Sequence, residues 1–270
     1  MKIYISADLE GISGINQYDN KLEREYGDYQ KKYRWGKLMT AEVNAAIEGA
    51  LDAGATKIVV LDNHGSSNTI LIEELNSAAE LIQCQQLPTA LPFLDGTFEA
   101  AIFIGHHAMS GNPRGILNHT YSRRVLKVQI NDVIYGEIGI NAAIAGSFGV
   151  PLVFVSGDTE AVEEAQSLIQ NIEFAVVRDS LSTFCAKNLS PVKAQQLVRN
   201  GVKKAIERRK DIRPFRIDPP YKLVVEYKSF WVAPARLLIR RHFSKSRLTG
   251  LNKLEYRGDD LAVVWDKFIT

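Results

Sequence analysis

Asp8 and Glu10 stand two residues apart at the end of an apolar, β-prone run, Ile3-Tyr4-Ile5. Strand side chains alternate faces, so both carboxylates project the same way from the strand's C-terminal end. Two acids held that close repel, and a proton or a cation between them resolves the conflict. A divalent metal is the simplest such cation. Further ligand-type residues follow later apolar runs. Asp62-Asn63-His64-Gly65 comes after 57–61, Gly105-His106-His107-Ala108 after 100–104, and Gly136-Glu137-Ile138-Gly139 after a hairpin pattern centred on Asn131-Asp132. Of five histidines, four (His64, His106, His107 and His119) fall in or near these segments. Each taken singly is more often an ordinary loop residue. Gathered at one sheet edge, imidazoles and carboxylates make the donor mixture that zinc and similar first-row ions favour.

The elements that must bring these residues together alternate along the first two-thirds of the chain. Leu38, Met39, Val43, Ala46, Ile47, Ala50 and Leu51 fall at helical spacing over residues 38–53, and Gly54 closes that helix. Residues 57–61, 100–104 and 152–155 are short, unalternating apolar strands, with helices expected over 138–147 and 159–169. Residues 125–130 and 133–135 form a hairpin pattern. This is an α/β pattern: a mostly parallel sheet covered by helices on both faces. Open sheets of that kind place ligands beyond the carboxyl ends of their strands, where the candidate residues lie.

From about residue 185 the texture changes. Ser190-Pro191 opens a basic amphipathic helix reaching Lys210, and alternating strands follow over 222–227 and 253–256. The expected division is a metal-binding α/β catalytic domain, 1–184, and a smaller C-terminal α+β domain, 185–270. The polar, tyrosine-rich stretch 18–35 is either a lid with aromatic walls or a solvated surface loop. Asp62, two residues before His64, is either a carboxylate that orients the imidazole or a strand-end turn residue. Asn141 lies four residues past Glu137 on the same helical face, a site residue or a packing amide.

At 270 residues, 46% hydrophobic and 24% charged, the chain has the composition of a soluble globular protein with a sizeable core. A formal charge of +2 makes no electrostatic case for nucleic acid or an acidic membrane. The basic segment 236–247 lacks aromatic interleaving and does not alter that. Cys84 and Cys185 match no zinc-finger or redox spacing and read as free thiols of a reducing cytoplasm. No signal peptide pattern precedes the first strand. Residues 138–157 are uncharged and near membrane-spanning length, but Gly139, Asn141, Gly146, Ser147, Gly149 and Pro151 break them into a helix and a strand. A cytoplasmic protein without nucleic-acid or membrane partners is expected.

S-A-D-L-E-G-I-S-G at the N-terminus, then D-N-H, G-H-H-A, N-H-T and N-D-V-I-Y-G-E-I-G-I-N-A, resemble the DppA-type zinc D-aminopeptidase family in both order and spacing. The resemblance covers most of the chain and is most specific over the first 160 residues. It implies two zinc ions per subunit bound by Asp8, Glu10, His64, His107 and Glu137, Asp8 bridging; the ligand types themselves suit manganese or cobalt as well as zinc. The G-x-H-A register selects His107 over His106, and His119 takes the position of the family's catalytic histidine. It further implies short peptides with a D-residue at the N-terminus as substrates. The implied assembly is a homo-oligomer, a ten-membered ring with its sites facing an inner channel. The segment between His107 and His119 runs about one residue longer than the family pattern, and 235–247 has no counterpart in it.

Such a ligand set also has a chemical logic of its own. Paired metals lower the pKa of a bridging water and polarise a scissile carbonyl, and a free amine can ligate one of them. A neutral His119 beside them suits proton transfer or oxyanion stabilisation. The competing readings are a dinuclear amidohydrolase of other specificity, acting on L-peptides or other amides, and a non-catalytic metal-binding protein on the same scaffold. A phosphatase is disfavoured, since no glycine-rich phosphate loop precedes a helix.

Overall fold

The computed structural model describes residues 1–19, 25–65, 68–235 and 246–269. Among them are a seven-stranded sheet and a five-stranded sheet. The first contains β1 (Lys2–Ala7), β2 (Lys57–Asp62), β3 (Ala79–Ile82), β4 (Ala100–His106), β7 (Leu152–Asp158), β8 (Glu173–Ser182) and β9 (Cys185–Asn188). Their order is β3-β2-β1-β4-β7-β8-β9, parallel throughout except for the final β8–β9 hairpin. The second sheet is antiparallel, β11-β12-β10-β5-β6. It joins β5 (Val125–Ile130) and β6 (Val133–Ile134) to β10 (Tyr221–Tyr227), β11 (Ser246–Gly250) and β12 (Lys253–Gly258).

The central strands β1, β4 and β7 are almost entirely buried, because helices shield the sheet on both sides. Helix α1 (Tyr26–Asp52) packs against α4 (Pro191–Glu207), while α2 (Glu137–Ser147) packs against α3 (Thr159–Leu168). Helix α5 (Leu261–Ile269) covers β10 and β12 and touches α2, tying the two sheets together. The α/β expectation therefore holds, with the antiparallel second layer. The hairpin expected at Asn131-Asp132 forms, and both residues have positive φ (51° and 68°), the signature of a type I′ turn.

Sheet membership does not follow a division at residue 185. Strand β9 and helix α4 belong with the first sheet, while β5 and β6, from the middle of the chain, build the second. Part of the stretch 18–35 is also not a loop: α1 begins at Tyr26, opened by a reciprocal Glu25–Asp28 capping box. Residues 20–24 of that stretch, and 236–245 of the basic segment, lie outside the described residues. Among the described residues no helix is long and apolar enough to cross a membrane.

Candidate metal centre

Chain order in the first sheet reverses between β1 and β4: β1 leads outward to β2, and β4 leads the other way to β7. Crevices at such a reversal are where open α/β sheets bind ligands. The ends of these two strands are stitched together, Asp8 N–H donating to Ile104 O (2.8 Å) and Gly11 N–H to Gly105 O (2.6 Å). Gly105 has φ +68°, and any Cβ there would collide with the Asp8 carbonyl. A glycine is required for the two strand ends to approach this closely.

Six side chains converge on that crevice. Their ligand atoms form two groups, Asp8 with Glu10 and His64, and His107 with His119 and Glu137, each held within 4.8 Å. Asp8 joins them. Its Oδ1 lies 3.2 Å from His64 Nδ1, and its Oδ2 lies 3.3 Å from His107 Nε2. Glu10 Oε2 is 2.9 Å from His64 Nδ1, and Glu137 Oε1 is 3.5 Å from His107 Nε2 and 3.9 Å from His119 Nε2. The rings of His107 and His119 stack at 4.0 Å. Backbone carbonyls orient both: His107 Nδ1 is 3.0 Å from Ala108 O, and His119 Nδ1 is 3.0 Å from Leu117 O. With Nδ1–H donating there, each Nε2 turns a lone pair toward Glu137.

The donors fit a divalent metal. His107 Nε2 is buried and has no hydrogen-bond partner, although two carboxylate oxygens lie within 3.5 Å. Lone pair facing carboxylate repels unless a cation or a proton stands between them. Burial opposes charge on His64 and His107, yet Glu10, Asp19 and Asp8 around the first, and Asp8 and Glu137 around the second, hold both well above the ordinary imidazole range. Burial likewise opposes ionisation of Asp8, and the two imidazoles outweigh it, holding that carboxyl well below its usual range. The cluster thus retains positive charge among its acids, a place that a metal can take while releasing protons.

The remaining expectations separate. His106 points away, stacked on Phe103 at 4.6 Å, and burial pushes its pKa down. Asp62 does not bond His64; its Oδ2 accepts from Thr69 N–H (2.6 Å) and Ile70 N–H (2.8 Å), anchoring the loop that carries His64. Asn141 is buried in α2.

Two contributors escape the sequence reading. Asp19 Oδ2 lies 3.8 Å from His64 Nε2, and its Oδ1 lies 2.9 Å from Lys32 Nζ; His64 first, with Lys32, lowers the Asp19 pKa to about 2 against partial burial. Arg178, on β8, is fully buried and donates to the carbonyls of Glu10, Ile12 and Ile15. It fixes the backbone on which Glu10 rides. A lone arginine directly after the apolar run Phe174 to Val177 was the available signal, but without β8 in view it had no location.

The crevice, with two carboxylate–imidazole groups sharing one aspartate, defines an α/β protein with the donor set of a divalent-metal site. The chain belongs to the D-aminopeptidase family: the family profile Peptidase_M55, described as D-aminopeptidase, matches residues 1–267. A D-aminopeptidase of Bacillus subtilis (strain 168) is 35% identical over 234 residues, which cover 85% of this chain and 82% of that protein. A solved structure described as the Zn-dependent D-aminopeptidase DppA from Bacillus subtilis, a self-compartmentalizing protease, superposes with a TM-score of 0.91 at 30% identity. That match covers 99% of this chain and 95% of the other. The resemblance read from the N-terminal motifs is borne out, as is the fold.

Proposed function

We propose that this chain is a zinc-dependent aminopeptidase that removes the N-terminal residue of short peptides, D-residues foremost, at a dinuclear site. The observation that carries the reading is the division of Asp8, one carboxylate oxygen facing each ligand group. Asp8, Glu10 and His64 would hold one ion, and His107 and Glu137, with Asp8 shared, the other. Ions bound there acidify a water and polarise the scissile carbonyl. His119, with Nδ1 fixed by Leu117 O, keeps Nε2 toward the crevice, where it could take the water's proton and return it to the leaving amine. Two divalent ions would largely neutralise Asp8, Glu10 and Glu137, and a free N-terminal amine could then ligate one of them, which a blocked terminus cannot do. The self-compartmentalizing character stated for the DppA structure supports an oligomer, here a ten-membered ring, and the free thiols of Cys84 and Cys185 suit the cytoplasm.

The test is direct. Elemental analysis after zinc loading is expected to give two ions per 30.1 kDa chain. A D-dipeptide is expected to be cleaved faster than its L-isomer, and the N-acetylated D-dipeptide not at all. Equal cleavage of acetylated and free peptides would replace the aminopeptidase reading with a broader amidase. Light scattering at micromolar concentration is expected to give a particle several times the subunit mass.

A further inference from the structure

Tyr18, Phe184 and Arg123 form a wall of three side chains beside His119. Tyr18 meets the His119 ring edge-on at 5.9 Å, and its hydroxyl donates to Asn118 O at 3.0 Å, which fixes the ring. Phe184, 62% exposed at the tip of the β8–β9 hairpin, meets Tyr18 edge-on at 5.9 Å. The hairpin tip is tied back to the same loop, Leu117 N–H donating to Thr183 O at 2.9 Å. Arg123 lies over the face of Tyr18, its guanidinium carbon 4.9 Å from the ring centroid.

Arg123 is set apart by where it stands, against the face of Tyr18 beside His119. Arg114, Arg199, Arg208, Arg209 and Arg257 are each ion-paired, whereas Arg123, exposed, forms no ion pair among the described residues. Its cation–π contact holds the guanidinium in place while leaving its N–H donors open. Lys32, near the same crevice, is already paired with Asp19.

We propose that Arg123 anchors the C-terminal α-carboxylate of the substrate. The proposal rests on the aminopeptidase reading and on the proton-donating place of His119, which set the direction of the peptide. The N-terminal amine lies toward the metals, the leaving amine toward His119, and the residues after the scissile bond continue past His119 onto Tyr18. Each extended residue adds roughly 3.5 Å. A carboxylate one or two residues beyond the cut therefore reaches the neighbourhood of a guanidinium that stands two ring contacts out from His119. The planar fork of arginine matches a carboxylate in a bidentate pair. Phe184 would meet the leaving residue's side chain. The substrate class that follows is the free di- or tripeptide rather than the N-terminus of a long chain.

The test compares a free-acid D-dipeptide with its C-terminal amide, on the zinc-loaded full chain and on Arg123→Gln and Arg123→Lys. For the unaltered protein the ratio of kcat/KM, acid over amide, is expected to be roughly 10 to 100, the scale of a charge-assisted hydrogen-bonded pair. In Arg123→Gln that ratio is expected to fall toward one through a higher KM for the acid, with kcat for the acid within threefold. Arg123→Lys restores part of it. A ratio near one in the unaltered protein, or a ratio unmoved in Arg123→Gln because both substrates slow together, overturns the anchor and leaves the aminopeptidase reading standing. No turnover of either peptide by the zinc-loaded protein overturns that reading and the anchor with it.

Discussion

His107 and His119 stack at 4.0 Å and share the same backbone-carbonyl anchoring, yet they face different partners. His107 Nε2 lies against both Asp8 and Glu137, whereas among the described residues the carboxylate beside His119 Nε2 is that of Glu137, at 3.9 Å. Exchanging each for alanine separates ligand from proton carrier. His64→Ala and His107→Ala are expected to lose zinc in elemental analysis. His119→Ala is expected to keep both ions and lose about 100-fold in turnover, the scale of a general acid–base group. The opposite pattern, metal lost from His119→Ala and retained by His107→Ala, would reverse the two roles. At this scale the sequence was informative, because ligand chemistry depends on residue type and Asp8, Glu10, His64, His107 and Glu137 each follow a recognisable strand or hairpin pattern, while His119 was placed by its match to the family pattern. What it hid was the support. Asp62 binds backbone N–H groups instead of an imidazole, and Asp19 reaches His64 from across the crevice. Such contacts depend on how loops lie in space rather than on spacing along the chain.

Among the elements, the ends of β1 and β4 and the buried arginine of β8 set the precision of the site. Arg178 donates to three carbonyls around Glu10. Burial pulls its pKa down to about 10, against the pull of Asp158, Glu42 and Glu10, so it remains charged at neutral pH. Arg178→Lys keeps the charge but not the fork. It is expected to weaken zinc binding roughly tenfold or more, as groups that orient metal ligands do, in competition with a chromogenic chelator. Gly105→Ala meets both a positive φ and the Asp8 carbonyl. It is expected to cost about 2–4 kcal/mol of unfolding free energy, measured by denaturant titration. Strands β1, β2, β4, β7, β10 and β12 and helices α2 and α3 were legible because apolar runs and helical periodicity are local signals. Strand β8 and the edge strands β3, β9 and β11 were not. Their burial is mixed along their length, so no uniform pattern marks them. The start of α1 at Tyr26 was hidden for a related reason: its first turns are polar and largely exposed, and the capping box, not an apolar stripe, sets its beginning.

Across the whole molecule, a buried carboxylate ties stability to pH. Glu42 of α1 is 2% exposed; burial raises its pKa to about 7, against the opposing effects of the Ser13 N–H and Arg178. Between the ordinary carboxylate pKa near 4.5 and about 7, the folded chain keeps a proton that the unfolded chain has lost. Stability from this group is therefore complete below that window and falls as pH rises through it. Glu42→Gln removes the dependence. The stability difference, variant minus unaltered protein, is expected to grow between pH 5 and pH 8 by up to about 3 kcal/mol, followed by urea unfolding. The two sheets have a different consequence. Because β5 and β6 find their partner β10 about 90 residues later, the second sheet cannot begin to form until most of the chain has left the ribosome. At roughly 5–20 residues per second, a nascent hairpin with an open, partly apolar edge waits several seconds for its neighbour. A stop codon near residue 184 would strand it for good, so the shortened product is expected in inclusion bodies, and protein synthesis, not only the finished fold, rewards a complete C-terminus.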